Sequence, residues 1–172
     1  MTDRELLHQL IESVTRRSVD YLRNEANLDV NQVKNILQGI KSLTLRDLTS
    51  LVSVGGQLGM YIAFSFDIKV IRRIFAMYTA GLDISEDMES AYIEETASDV
   101  VNMIIGNSLG DLPNNGQAIS MTPPLIISEA KSVSRHKDAY LYMSELSVEE
   151  GMVSILYIGP KKLFDENLDF QD

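Results

Sequence analysis

The chain contains no cysteine and only two histidines, His8 and His136, which stand far apart in a sequence of 172 residues. The first absence removes disulfides and thiolate metal sites, and the second argues against a histidine-built metal centre or a serine–histidine triad. Long apolar runs are also missing, because no stretch approaches the ~20 residues that a membrane-spanning helix needs. The N-terminal residues Met1-Thr2-Asp3-Arg4-Glu5 lead straight into an amphipathic pattern, without a basic segment followed by an apolar core. No secretion signal is read there, so a cytoplasmic protein is expected. Positive charge is in short supply: 15 Lys and Arg face 25 Asp and Glu, for a net charge of −10. Such a surface repels nucleic acid and anionic membranes. At its simplest it keeps the protein soluble, and at its sharpest it suits a cationic rim on a protein partner.

Apolar residues make up 45% of the chain and charged residues 23%, which predicts a globular fold. The length suits one good core and not two, so residues 1–172 are read as a single domain. Leu7, Leu10, Ile11, Val14, Ser18, Tyr21 and Leu22 recur at helical spacing and predict a first helix over about 3–24, with Thr2 or Asp3 as its cap. Residues 28–42 are ambiguous: Val30, Val33, Leu37 and Ile40 fit a helix period, yet the segment is short and weakly bounded. Residues 46–67 predict a hairpin, because two β-branched and aromatic runs flank Gly55-Gly56. The run Gly55-Gly56-Gln57-Leu58-Gly59 has a phosphate-loop look, but it lacks the Gly-Lys-Ser/Thr ending and a strand follows it, so it is read as a turn.

A second helix is predicted over 68–79, closed by Gly81, and a third over 86–109, opened by the acidic turn after Ser85 and broken by the run from Gly110 to Gly116. Three β segments follow: Ala118 to Ser128, interrupted by Pro123-Pro124, then Asp138 to Ser147, then Met152 to Ile158. Residues 161–172 read as a short helix or a frayed acidic tail. Ser53-Val54 before Gly59-Met60 is echoed by Ser147-Val148 before Gly151-Met152. The echo suggests one sheet built from two similar halves, with long helices on one face.

The third helix carries the most informative pattern. At about 100° per residue, Ile93, Ala97, Val100, Val101, Ile104 and Ser108 gather on one side, and Glu95, Asp99, Asn102 and Gly106 on the other. Asp99 and Asn102, at i and i+3, are surface neighbours, so a carboxylate and a carboxamide can reach one external target together. Most polar stripes of this kind are only solvated faces. Asp, Asn and Gly, however, are poor helix formers, and a mid-helix glycine costs about 1 kcal/mol against alanine. Gly106 leaves the end of the stripe bare for the close approach of another chain. Pro124 reads first as a strand-edge or bulge device, and the eight methionines, Met103 among them, as core filler.

The stretch Asp99-Val100-Val101-Asn102-Met103-Ile104-Ile105-Gly106-Asn107 resembles the signature helix of the CheC/CheX/FliY family of chemotaxis phosphatases. The family pattern is Asp or Ser, three residues, Glu, two residues, Asn and, about twenty-one residues further, Pro. Asn102 fills the Asn position, Pro124 lies twenty-two positions on, Asp99 stands where Glu is usual and Glu95 where Asp or Ser is usual. The run from Asn102 to Asn107 is similar to the CheX form. Asp47 to Phe66 resembles the family's hairpin, and the order of elements matches CheX over most of residues 5–158. Residues 1–45 diverge most. The first helix has Glu12-Ser13-Val14-Thr15 with no Asn at the matching place, which implies one site per chain, as in CheX and unlike CheC.

The resemblance implies an α/β (α+β) fold, with a mainly antiparallel sheet and two long helices on one face. It implies hydrolysis of the aspartyl phosphate on a CheY-like response regulator, with Asn102 orienting the attacking water and Asp99 engaging the receiver's lysine. Glu95, Met103, Gly106 and Pro124 would then serve binding. No metal or cofactor of its own is expected, and Mg²⁺ belongs to the partner receiver. A homodimer joined through strands or sheet edges is implied as well. The rival reading is an adaptor of the flagellar-switch or signalling kind, which shares the fold and binds receivers without turnover.

Overall fold

The computed structural model describes residues 2–36, 40–113, 119–134 and 136–164. Helix α1 (Asp3–Asp20) opens on a capping box: the Thr2 hydroxyl accepts from the Glu5 amide, and the Glu5 carboxylate accepts from the Thr2 amide. It runs into a π-helical turn, Tyr21–Glu25, and the chain then reverses at Asn27, whose φ is 50°. The helical path thus reaches the predicted end near residue 24, with its last turn widened.

Within the ambiguous segment 28–42 one strand forms, β1 (Gln32–Ile36), and a second, β2 (Ser42–Thr44), begins at its last residue. Leu37 lies outside the described residues, and of the other three only Val33 lies in a strand: β1 docks antiparallel on a strand more than a hundred residues away, with Asn35 opposite Ser144. The predicted hairpin forms as β3 (Leu48–Val54) and β4 (Met60–Phe66), with Gly56 and Gly59 at positive φ between them. Residues 55–59 are therefore a strand–strand turn and not a phosphate cradle. Helix α2 (Ile68–Tyr78) follows, then α3 (Glu86–Gly110), β5 (Leu125–Ile127), β6 (Ser132–Ser134), β7 (Ala139–Val148), β8 (Gly151–Pro160) and a 3₁₀ turn, Lys161–Leu163. The predicted tail beyond residue 164 lies outside the described residues.

The main sheet has six strands in the order β1-β7-β8-β4-β3-β5, and every pairing in it is antiparallel. The two hairpins lie side by side through β4 and β8, and each is flanked by one shorter outer strand, so the sheet has the two-half character that the sequence echo suggests. Alternation sorts the strands cleanly. Val52, Ile62, Phe64, Ile155, Tyr157 and Leu146 point to one face and form the main core with Leu7, Leu10, Ile71, Ile74, Val101 and Ile105 of the three helices. The long helices α1 and α3 share that face with the shorter α2. The other face is partly covered by a two-stranded ribbon of β2 and β6, where Leu43 and Val133 pack with Leu45 over Ala63 and Leu156.

Candidate active site on the third helix

Helix α3 starts at Ser85, which makes no side-chain cap bond. Glu86, Asp87 and Glu89 in the first turn supply the negative charge that the helix N-terminus favours. Its interior, with Val100, Val101, Ile104 and Ile105, is poor in helix propensity, so the helix is held by burial. Ile93, Ala97, Val100, Val101, Ile104, Ile105 and Ser108 are all buried. The two buried hydroxyls on this face bond back to the preceding turn, Thr96 to the Tyr92 carbonyl and Ser108 to the Ile104 carbonyl.

At the C-terminal end, Asp111 sits where the helix dipole disfavours an acid. Helix α1 compensates. Arg17 donates to both Asp111 oxygens at 2.6 and 2.5 Å, Arg16 donates at 2.8 Å and the Ser13 hydroxyl at 2.5 Å. The Arg17 guanidinium first, and then the Ser13 hydroxyl, hold the Asp111 carboxyl well below the usual carboxylate range. This clamp fixes the two long helices against each other.

The outward side of α3 is the predicted stripe. Glu95, Asp99, Asn102 and Gly106 are all exposed. Among the described residues, neither Asp99 nor Asn102 has a side-chain hydrogen-bond partner. Opposite them runs the proline segment. The Ser120 carbonyl accepts from the Gly55 amide at 2.7 Å, the Thr122 amide donates to the Ser53 carbonyl at 2.9 Å, and the Thr122 hydroxyl accepts from the Ser53 amide at 3.0 Å. These bonds, with a bridge between Val54 and Met121, fasten the segment to the end of β3. Only 125–127 of the predicted Ala118–Ser128 strand pairs as a strand, because the adjacent prolines cannot donate to a ladder. Ala118 lies outside the described residues.

The result is a shallow open depression of about 330 Å³ with two walls. Ser98, Asp99 and Asn102 form one, and Met121, Thr122, Pro123 and Pro124 form the other. The structure thus brings Asp99, Asn102 and Pro124 together. Glu95 stands one helical turn before Asp99, outside the depression. Gly106 lies one turn beyond Asn102, and a Cβ placed there would meet nothing within 4 Å. Met103 is 40% exposed, yet it faces the other flank of the helix, toward α1. Ser98, Met121 and Thr122 were not singled out from the sequence. Ser98 was open to detection, since it sits at i−4 from Asn102. The other two arrive through pairing with β3, which no local pattern announces. Among the described residues no group of three His, Asp or Glu side chains gathers to hold a metal ion, and no helix is long and apolar enough to cross a membrane.

The family model described as chemotaxis phosphatase CheX matches residues 48–145, more than half of the chain and the whole of α3 with both walls of the depression. The chain belongs to the CheX family. Solved structures agree with that placement at the level of the fold. A CheX from Desulfovibrio desulfuricans is 14% identical with a TM-score of 0.69, the match covering 89% of this chain and 97% of that one. A CheX from Vibrio vulnificus is 17% identical with a TM-score of 0.69, covering 86% and 97%. A CheX–CheY–BeF3–Mg complex from Borrelia burgdorferi is 17% identical with a TM-score of 0.62, covering 90% and 96%. No curated protein sequence matches the chain. In this CheX-family chain Asp99 and Asn102, without side-chain partners among the described residues, stand exposed on the outward side of α3.

Proposed function

We propose that this protein hydrolyses the aspartyl phosphate of a CheY-like response regulator, with Asn102 and Asp99 as its site. The observation that carries the reading is the ridge itself: Asp99 and Asn102 side by side, exposed and without partners among the described residues, in a family of chemotaxis phosphatases. Crystallisation of the Borrelia CheX with CheY, beryllofluoride and Mg²⁺ supports it, since beryllofluoride stands in for a phosphoryl group.

The chemistry asks little of the protein. A receiver supplies the phosphoaspartate, its Mg²⁺ and a lysine, and phosphoryl transfer is mostly positioning and charge stabilisation. The Asn102 carboxamide can accept from a water and donate to the phosphoryl group at once. It thereby holds the water in line with phosphorus. The water oxygen bonds to phosphorus as the bond to the aspartyl oxygen breaks, and inorganic phosphate leaves a free carboxylate on the receiver. The Asp99 carboxylate pairs with the receiver's lysine and sets the docking register. Pro123 and Pro124 hold the far wall rigid beside that pair.

Substoichiometric protein added to a phosphorylated receiver tests this: phosphate loss should exceed the receiver's own decay, with many receivers turned over per chain. Tight binding with no acceleration would instead favour the adaptor reading. A homodimer belongs to the same proposal. Among the described residues the outer edge of β1 is unpaired, and an open edge invites a second copy. Light scattering on the purified chain should give twice its 19.3 kDa mass.

A further inference from the structure

The ridge of α3 has concave surface on both flanks. One flank is the proline-walled depression. On the other, Met103, Ile104 and Asn107 turn toward α1 and line a groove of about 270 Å³, whose far wall includes Asp20, Asn24 and Glu25. That wall is where α1 leaves regular helix. In the π turn the Ala26 amide bonds to the Tyr21 carbonyl at 3.0 Å, a widened last turn of the kind found at helix C-termini. Among the described residues the groove's lining carries one cation, Arg17, which shares Asp111 with Arg16 and also feels Asp20, against the two carboxylates of Asp20 and Glu25, so the lining is negative on balance. Met103 supplies an exposed apolar side chain at its lip.

Between the two concavities, Gly106 is the crest. Glycine is a poor helix former, and nothing within 4 Å of a Cβ there would require it. The fold itself has no use for glycine at this place, whereas a partner's backbone resting on the crest would.

We propose that the α1–α3 groove is the receiver's second foothold. The receiver straddles the ridge, with its phosphorylated pocket over Asp99 and Asn102, its backbone close against Gly106, and a segment pairing a lysine or arginine with an apolar residue seated in the groove. This rests on the phosphatase reading and adds to it the surface that selects among receivers. The chemistry at Asn102 is common to any phosphoaspartate, while the acids and methionine of the groove respond to what differs from one receiver to another.

A panel of purified CheY-like receivers, each loaded with beryllofluoride and Mg²⁺, tests it by titration against four forms of the full chain. These are the natural sequence, Gly106→Leu, the double charge reversal Asp20→Lys with Glu25→Lys, and Asn102→Ala. Gly106→Leu and the double reversal should each weaken binding of the preferred receiver about tenfold or more, and Asn102→Ala should stay within about threefold. Gly106→Leu should also raise Tm, because leucine is the better helix former, so its weaker binding is separated from misfolding. In turnover with the phosphorylated receiver, the groove changes should appear in KM and Asn102→Ala in kcat. If both groove variants bind every receiver as the natural chain does while Asn102→Ala abolishes turnover, the groove proposal is wrong and the phosphatase reading stands. If the natural chain neither binds nor dephosphorylates any of them, both fall together.

Discussion

Asp99 carries a side chain one methylene shorter than a glutamate, and in the proposed phosphatase site the rate depends on that difference. A displacement of about 1 Å at a reacting centre can cost about a hundredfold. Asp99→Glu should therefore raise turnover of a phosphorylated receiver, and Asp99→Ala should weaken docking while leaving the fold intact, since the residue is exposed and bonds to nothing described. A drop in turnover with Asp99→Glu would mean that the partner has been fitted to the shorter acid. Much of this site was legible residue by residue. The helical period alone puts Asp99 and Asn102 together on the outer side, because i and i+3 must be neighbours once the apolar residues turn inward. The same period puts Met103 about 100° round the helix from Asn102, toward the α1 side, although it stands only one turn beyond Asp99. Pro124 is different. Only its resemblance to the family pattern tied it to Asn102, because what physically joins them is a set of hydrogen bonds between Ser53, Gly55 and the Ser120–Thr122 segment across nearly seventy residues.

The candidate site is carried by α3, which packs against α1, and the register of the two helices depends on Asp111. Its carboxyl is depressed by Arg17 and Ser13, so the clamp contributes stability at pH values above the ordinary carboxylate pKa of about 4 and loses it as pH falls toward the lower folded value. Asp111→Asn should cost roughly 1 kcal/mol at neutral pH, modest because the two arginines and the acid are partly solvated. Urea unfolding at a series of pH values checks this. The gap between the natural chain and the variant should be constant above about pH 5 and close on acidification. A gap that persists unchanged to pH 2 would show that the acid is not the source. Helix α3 itself was legible from its caps and period. The π turn at the end of α1 was not, because Tyr21 and Leu22 satisfy an α-helical spacing equally well.

At the scale of the whole molecule, two hairpins share one sheet and the helices ride on its inner face. Both hairpins could be read from alternation and glycine turns. Strand β1 could not, since its five residues are mostly exposed, show no clean alternation of apolar residues and pair only with the distant β7. The ribbon strand β6, three residues long, offers no pattern long enough to read. The sheet's load falls on its centre: Ile155→Ala in β8, fully buried, should cost about 3 kcal/mol, whereas Leu125→Ala at the exposed edge should stay within about 0.5 kcal/mol in denaturant unfolding. Under the proposed function this platform would matter directly, because Asn102 would have to meet another protein's phosphorus with its position already set. The direct measurement is a single-turnover decay of a phosphorylated CheY-like receiver with Asn102→Ala in excess, beside binding of the same variant to the beryllofluoride form. The account predicts binding close to that of the natural chain and a loss of about a hundredfold or more in accelerated phosphate release. Release that stays as fast as with the natural chain would contradict it.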